Sequence, residues 1–446
     1  MYVRELTIEP KKLKGAVKIP PSKSMAHRAV ICAALSNGIS IIDNIDYSDD
    51  IIATIEGMKA LGAEVIQEGK KLIVNGENTF KQNGGVVDCN ESGSTLRFLV
   101  PLSIAKGNNI KFVGRGNLGK RPLKTYYDIF DEQGIEYSYK DGVLDLNIDG
   151  ELNGGEFLVQ GNISSQFISG LLFTLPLLKE DSNVIITTNL ESKGYIDLTL
   201  EMMKKFGIEV ENKDYKEFVI KGNQTYQATN YKVEGDYSQA AFYLCAGALG
   251  NDVVCNDLEE DSLQGDKESI DILKRMGGVF LKEFRVTSDY HKFDSNETER
   301  FTHENKFTLG LGFGYEELRG TVIDASQCPD IIPVVTVVAA LSNGETRIIN
   351  GERLRIKECD RLHAICTELN KLGANIKELE DGLIINGVKE LKGGKVDSHS
   401  DHRIAMSLAI ASTRCVEDVI LRDPECVKKS YPHFWDDFKM LGGQIR

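Results

Sequence analysis

Met58-Lys59-Ala60-Leu61-Gly62-Ala63-Glu64-Val65 decides the fold, because it sets a helix end, a glycine and a strand start side by side. Met58 and Leu61 close an amphipathic helical pattern, and Gly62 is the residue that takes the left-handed conformation which stops a helix. Ala63 to Val65 then begins a strand. The same phrase, an amphipathic helix ending in a hydrophobic residue or Gln, then Gly, then a short strand, returns five times. It is found at Phe130 to Tyr137 (Gly134), Met203 to Val210 (Gly207), Leu273 to Phe280 (Gly277), Leu369 to Ile376 (Gly373) and Phe438 to Ile445 (Gly442). The interval is close to 70 residues except between Gly277 and Gly373, where the chain carries roughly 25 more. That excess falls around Glu283 to Asn305, a polar, irregular stretch that predicts a surface insertion.

Each repeat carries a second, more apolar helix behind a polar lead-in. These helices are expected at Ser24 to Ser36, Ser92 to Ala105, Ser164 to Leu178, Tyr237 to Leu249, Pro329 to Leu341 and Asp401 to Ser412. Ser, Asn or Asp stands in every lead-in, with Ser326 serving the fifth, so a capping side chain is available throughout. Short β-rich runs lie between, among them Ile39 to Ile45, Val184 to Thr188, Val253 to Val254 and Thr346 to Ile349. The chain is therefore α/β (α+β), with six repeated β/α units. Six such units exceed one core of usual size, so they divide three and three into two domains. Parallel helices within each domain would gather their N-termini at one end, and two such ends facing each other make a positively polarised interdomain cleft.

Composition narrows the function. With 446 residues, 41% hydrophobic and 27% charged, the chain has material for large cores. No window approaches the ~20 unbroken apolar residues of a membrane span, and Met1 to Lys14 lacks an apolar signal region, so a cytoplasmic location is expected. Nine cysteines without C-x-x-C spacing predict free thiols, with Cys32, Cys245 and Cys415 buried in helices, and neither a disulfide framework nor a metal site. A net charge of −14 argues against a nucleic-acid surface, so any anionic partner is small and held by a local cluster.

That cluster can be gathered from the helix starts. Pro21-Ser22-Lys23-Ser24-Met25-Ala26-His27-Arg28 puts two cations and two hydroxyls at the mouth of an apolar helix. One such start is also how an ordinary surface helix begins, but the device recurs with Arg97, Arg121, Lys357, Arg361, Arg403 and Lys428-Lys429. Ser24, Ser164, Ser165 and Gln166 add hydroxyl and amide partners. Arg captures carboxylate and phosphate through two parallel bonds, and Lys supplies a point charge that can also donate a proton. The set suits small substrates carrying both groups. Two acids stand among these cations, Asp330 and Glu358. Each has two readings: an acid or base in the cleft, or a helix cap for Asp330 and a helix-turn pair with Arg361 for Glu358. Asp360 and Asp401 are orienting residues at most, and His402 beside Arg403 is a possible donor. Gly114 to Gly119 lacks the dinucleotide spacing and no P-loop occurs, so no nucleotide cofactor is indicated.

With these residues assembled, the chain closely resembles the EPSP synthases of the enolpyruvyl transferase family. The resemblance runs from about residue 15 to about 440 through SKSMAHR (22–28), SGSTLRF (92–98), KRPL (120–123), SSQF (164–167), ESKGYID (191–197), VEGDYSQAAF (233–242), LQGD (263–266), CPDIIP (328–333), LRIKECDRL (354–362), SDHRIAM (400–406) and DPECVKKSYPHF (423–434). It implies that the chain crosses between domains near Gly15 to Pro20 and returns near Val233 to Asp236, dividing it into 1–18 with 236–446, and 19–235. It implies transfer of the enolpyruvyl group of phosphoenolpyruvate to the 5-hydroxyl of shikimate 3-phosphate, with release of phosphate, in chorismate and aromatic amino acid biosynthesis, by a monomer without metal or organic cofactor. Carried over by motif, Lys23, Ser24, Arg28, Ser164, Ser165, Ser192, Asp330 and Lys357 would hold shikimate 3-phosphate, and Lys23, Gly93, Arg121, Arg361, Arg403 and Lys429 phosphoenolpyruvate. Gln166 would stand between the two. Asp330 would accept the hydroxyl proton, Glu358 would protonate C3, and Lys23 would assist the leaving phosphate. Three positions depart from the pattern of better-known members: His27, Glu91 and Arg353, each where Asn is met.

Two other functions compete. The sister enzyme acting on UDP-N-acetylglucosamine carries a Cys before the Arg equivalent to Arg121, and Arg115 to Lys120 has none. A non-catalytic repeat protein that binds phosphorylated ligands would not need both Asp330 and Glu358 within cationic motifs.

Overall fold

All six repeat glycines stand at positive φ, from 67° at Gly134 to 106° at Gly62, just past a helix end and just ahead of a strand. The structure is a computed structural model and describes residues 4–81, 84–287, 306–314 and 317–446. Around the glycines the described chain builds six four-stranded sheets with one shared plan. In the third, Gly155–Val159 pairs parallel with Ser182–Ile186, Phe157 opposite Val184; Ser182–Ile186 pairs antiparallel with Glu217–Ile220, and that strand pairs antiparallel with Val210–Lys213. The parallel pair requires a crossover, and the Ser165–Thr174 helix supplies it.

Two sheets exchange their parallel edge strand. Lys14–Lys18 pairs with Asp252–Asn256 and then leads into the Lys23–Leu35 helix. Tyr231–Lys232 pairs with Ile39–Asp43 and then leads into the Tyr237–Ala248 helix. The two crossing segments run side by side: the Ser22 amide donates to the Glu234 carbonyl (2.7 Å) and the Asp236 amide to the Pro20 carbonyl (2.9 Å). Two apolar cores flank this crossing. One draws on residues from Met25 to Val233, the other on Leu6 to Ile19 together with Tyr237 to Leu441.

At the heart of each core lie three helices: Lys23–Leu35, Gly93–Ser103 and Ser165–Thr174 in one, Tyr237–Ala248, Ile332–Ala340 and His402–Ser412 in the other. Every residue of Tyr237–Ala248 and of Ile332–Ala340 is buried, which is why these segments carry no polar stripe. Ser22, Ser92, Ser164, Asp236 and Asp401 cap five of the six through their side-chain oxygens. No helix among the described residues is long and apolar enough to cross a membrane.

Three expectations change. The fifth apolar helix begins at Ile332 rather than Pro329 and has no side-chain cap; the Ser326 amide turns instead to Asp324 Oδ1 (2.9 Å). Pro333 in the first turn has no N–H to satisfy, which reduces the need for a cap. The third ends as an α-helix at Thr174 and continues as a 3₁₀ turn over Leu175–Leu177, because Pro176 breaks the helical ladder. The expected insertion is not irregular at its start: Val279–Thr287 pairs with Lys306–Gly314 as a hairpin in register from Val279↔Gly314 to Thr287↔Lys306. Residues 288–305, which include His291 and His303, lie outside the described residues. The nine cysteines are all free, with Cys32, Cys245 and Cys415 buried.

Candidate active site in the cleft

Between the two cores opens a cavity of about 880 Å3, solvent at its mouth included. Its wall is made of helix starts: Lys23 and Ser24, Gly93 and Ser94, Ser164 to Gln166, Tyr195, Arg361, and His402 with Arg403. The positive ends of these helices and their free amides therefore share one space, an arrangement that favours anions.

Asp330 lies at the bottom of a shell of donors. Its Oδ1 accepts from Lys357 Nζ (3.2 Å) and Arg361 Nη1 (3.0 Å), and its Oδ2 from Arg403 Nη2 and the Tyr195 hydroxyl, both at 3.1 Å. Burial pushes this carboxyl up, but Arg403, Lys357 and Arg361 outweigh it and hold it well below the usual range. Of its two readings, the cap is excluded: the helix starts beyond Asp330, with Ile331 in the capping position.

Glu358 faces the other end. Arg361 Nη2 donates to its Oε2 (2.8 Å), so the pair read from spacing exists, but Arg121 Nη2 (3.3 Å) and Lys429 Nζ (3.6 Å) also approach Oε1. Burial again raises the carboxyl, and Arg121, Arg361, Lys429 and His402 bring it well below its ordinary value. Arg361 ties the two acids together, and Asp401 anchors it by accepting from Nε (2.7 Å). Asp401 also caps the next helix through the Arg403 amide (2.8 Å).

On the opposite wall Arg97 Nη1 donates to Gln166 Oε1 (2.8 Å), and Gln166 Nε2 to Ser94 Oγ (2.9 Å), which fixes the amide in the cleft. Burial lowers Arg97 to about 9 and Arg28 to about 10. Arg28 donates to Thr199 Oγ1 (2.9 Å) and to the carbonyls of Ser24 (2.7 Å) and Tyr195 (2.8 Å). Lys23 Nζ pairs with Asp50 (2.8 Å). His27, pushed down to about 3 by burial, is neutral and bonds Thr54 Oγ1 (2.7 Å) behind the helix. Several donors around the cavity have no hydrogen-bond partner among the described residues: Arg97 Nε, Arg121 Nε, Arg403 Nε and Nη1, and Lys429 Nζ.

Of the residues singled out from sequence, Lys23, Ser24, Arg28, Gly93, Arg121, Ser164, Ser165, Gln166, Asp330, Lys357, Glu358, Arg361 and Arg403 line this one cavity. Ser192 and Lys429 do not. Ser192 is buried behind Arg353, whose Nη1 donates to its Oγ (3.0 Å), and Lys429 reaches the cleft through Glu358. Lys428 is outside it, exposed and paired with Glu425 (2.5 Å). Asp360 caps the Arg361–Lys371 helix and points away. Reading the sequence missed Tyr195, Asp50 and Asp266 as members of the polar network, although Tyr195 stands inside ESKGYID and Asp266 inside LQGD. A signal existed in the Gly before each, Gly194 and Gly265, whose backbones touch: a Cβ on Gly194 would lie 2.9 Å from the Gly265 amide nitrogen.

A model of the EPSP synthase family, 3-phosphoshikimate 1-carboxyvinyltransferase, matches residues 8–438. The chain is 67% identical over 445 residues to a 3-phosphoshikimate 1-carboxyvinyltransferase of Clostridium perfringens, with 100% of both chains covered. It is 61% identical to one of Clostridioides difficile, covering 99% of this chain and 98% of that one. Among solved structures, an EPSP synthase from Acinetobacter baumannii superposes with a TM-score of 0.78 at 23% identity, over 99% of both chains, a likeness of fold.

Proposed function

The chain belongs to the EPSP synthase family, and from that premise we infer how its cleft carries out the family's reaction. The enzyme transfers the enolpyruvyl group of phosphoenolpyruvate to the 5-hydroxyl of shikimate 3-phosphate and releases phosphate, a step of aromatic biosynthesis. The observation that carries the residue assignment is the pair Asp330 and Glu358, each half-buried and held among cations that substrate anions can claim.

Asp330 takes the proton of the attacking hydroxyl, and Glu358 delivers a proton to C3 of phosphoenolpyruvate. Lys23 assists the bridging oxygen of the departing phosphate. Shikimate 3-phosphate is held by Lys23, Ser24, Arg28, Ser164, Ser165, Gln166, Ser192, Asp330 and Lys357; phosphoenolpyruvate by Lys23, Gly93, Arg121, Gln166, Arg361, Arg403 and Lys429. With Arg121, Arg361 and Lys429 turned on it, Glu358 sits well below the range of an acid that works at neutral pH. A phosphate and a carboxylate binding to Arg121, Arg361 and Lys429 draw off the charge that holds it down, so its pKa rises when substrate is present. The same cations then stabilise the charge that develops on the transferring and leaving groups.

We divide the chain into domains 1–18 with 236–446, and 19–235, on the support of the two apolar cores and the exchanged strands. We further take the protein as a cytoplasmic monomer, which sedimentation of the purified chain tests for oligomeric state. The function is tested by phosphate release from phosphoenolpyruvate in the presence of shikimate 3-phosphate, run in parallel with UDP-N-acetylglucosamine. Release with the first acceptor alone is expected, and release with neither would overturn the reading.

A further inference from the structure

Tyr195 has one hydroxyl hydrogen and two carboxylates within reach of it, Asp266 buried and Asp330 half-buried. Its oxygen lies 2.9 Å from Asp266 Oδ2 and 3.1 Å from Asp330 Oδ2. A phenol donates one hydrogen bond, so it cannot serve both as ionised acceptors. The surroundings decide which acid is protonated. Asp330 is bonded to Lys357, Arg361 and Arg403. Asp266 forms no ion pair among the described residues, and its Oδ1 is buried with no hydrogen-bond partner, a costly position for a carboxylate oxygen.

We propose that Asp266 is a positioning residue that carries a proton while Tyr195 is in contact with it, donates it as a hydrogen bond to the Tyr195 oxygen, and so commits the tyrosine's own hydrogen to Asp330. The inference rests on the reading of Asp330 as the base. Of the other groups facing Asp266, the two carboxylates favour its proton and Arg403 opposes it. Asp330 comes from the turn before the Ile332–Ala340 helix, Asp236 from the cap of Tyr237–Ala248, Arg403 from His402–Ser412 and Tyr195 from Lys193–Lys205. Burial, then the charge of Asp330, push Asp266 up to about 7 against the pull of Arg403. Cys328 nearby stays a thiol, raised by burial.

The chain of bonds spans the cleft. Tyr195 belongs to one core's side and Asp266, Asp330 and Arg403 to the other. The approach depends on the two glycines ahead of the wire, since a Cβ on Gly194 would meet Gly265 Cα at 3.0 Å. Separating the halves withdraws the Tyr195 hydroxyl and leaves the two carboxyls without their bridge. Domain contact thereby aims the base.

Above about pH 7 Asp266 ionises. With little cationic compensation of its own, it then competes for the Tyr195 hydrogen and releases Asp330. Turnover is expected to fall on that limb.

The test is a pH titration by infrared difference spectroscopy of the wild-type chain against Asp266→Asn, without substrate, joined to steady-state kinetics. A protonated-carboxyl stretch present in the wild type at pH 6, absent from Asp266→Asn and lost on raising the pH is expected. No such band, or one that disappears in Asp330→Asn and persists in Asp266→Asn, overturns the proposal. Kinetically, Asp266→Ala should lower kcat by roughly 10-fold or more with little change in either KM, as misaimed groups do. Asp266→Asn, whose amide donates to Tyr195 but cannot ionise, should recover most of that loss and abolish the alkaline fall. A fall retained in Asp266→Asn also overturns it. If Asp330→Asn keeps its turnover, the base assignment fails by itself, while the infrared band still decides the proton on Asp266. Should Asp266→Ala not fold, the nearly isosteric Asn variant carries both measurements.

Discussion

Gly93→Ala isolates one substrate's binding from the fold. A Cβ on Gly93 would lie 2.6 Å from Arg121 Nη1, while Arg97 Nη1 and Gln166 Oε1 are at 3.4 and 3.7 Å. Non-bonded contacts settle at roughly 3.5 Å, so the guanidinium of Arg121 must withdraw by about 1 Å. Its bond partner moves with it, because Arg121 Nη2 stands 3.3 Å from Glu358 Oε1. The backbone does not resist the change: Gly93 opens a helix and is not among the residues at positive φ. A charge-assisted hydrogen bond contributes about 1.5–3 kcal/mol, so spoiling the one from Arg121 should raise the KM for phosphoenolpyruvate by roughly 10- to 100-fold. The KM for shikimate 3-phosphate should move by less than about 3-fold, since Ser164, Ser165 and Lys357 are not touched. Phosphate release with each substrate varied against saturating partner measures the split, and a thermal melt checks the fold. An unchanged KM for phosphoenolpyruvate, or equal losses for both substrates in a folded variant, would refute the placement of Arg121 in that subsite.

Asp330→Asn should lose about 10²- to 10⁴-fold in kcat, while calorimetry finds shikimate 3-phosphate bound at least as tightly, because an anion has been removed from beside Lys357 and Arg361. Glu358→Gln should depress turnover by a comparable factor and stop hydrogen exchange at C3 of phosphoenolpyruvate in heavy water; exchange at the wild-type rate would exclude Glu358 as the C3 acid. Lys23→Met should abolish turnover in a chain with an unaltered melt, and an active variant removes Lys23 from the mechanism. Glu368→Gln addresses stability instead. Glu368 is buried, bonded to His399 Nε2 (2.7 Å), Lys371 Nζ (2.8 Å) and the Asp397 amide (3.0 Å). Burial raises Glu368, but these bonds lower it below 4.5, so its contribution is present above 4.5 and lost as the pH falls through the folded value. The bond to Glu368 raises His399 above 6.5, so that contribution is present below 6.5 and lost as the pH rises through the folded value. Urea unfolding should show the variant weaker by about 1.5–3 kcal/mol near pH 6, with a smaller deficit at pH 9; an equal deficit at both would deny the His399 pair its part.

The repeat was legible because a helix stop needs a particular backbone conformation, and glycine supplies it at a fixed place in each unit. Gly62 and Gly373 could be paired in sequence before any strand was drawn. Which strand joins which sheet was not legible from pattern, since Lys14–Lys18 and Tyr231–Lys232 have the same short alternation wherever they pair. That exchange came only with family resemblance. Ser326 shows the limit of cap reading: a hydroxyl upstream of an apolar run is an available cap, but Pro333 and the turn at Cys328 to Ile331 moved the start of the helix past it. In the site, charge at helix starts found the cations and both acids. Tyr195 and Asp266 escaped because their chemistry is a contact between segments 71 positions apart, which no local pattern announces. Arg353 stood out as a departure, and the structure gives that departure a physical meaning by bonding it to Ser192 and Glu191 at the cavity wall.

The cleft joins its acids and its cations in one network of charge. Eight cationic side chains and three carboxylates line the cavity of a chain whose net charge is −14, so the positive potential there is local and built by fold. Much of the surplus is met from within the chain: Asp330, Glu358 and Asp401 pair with Arg361, and Asp50 with Lys23. Both carboxyls are thereby held well below their ordinary range. Anions that bind to Arg121, Arg361, Arg403 and Lys357 compete for these ion pairs, and every pair that yields to a substrate anion returns its carboxyl toward the range where it can take or give a proton. Under the proposed assignment, occupancy of the two substrate positions and readiness of the acid and the base are one equilibrium. It also explains why the carboxylates lie within hydrogen-bonding distance of the binding cations rather than apart from them: an acid held at a distance from Arg361 would keep the same pKa whether or not substrate had arrived.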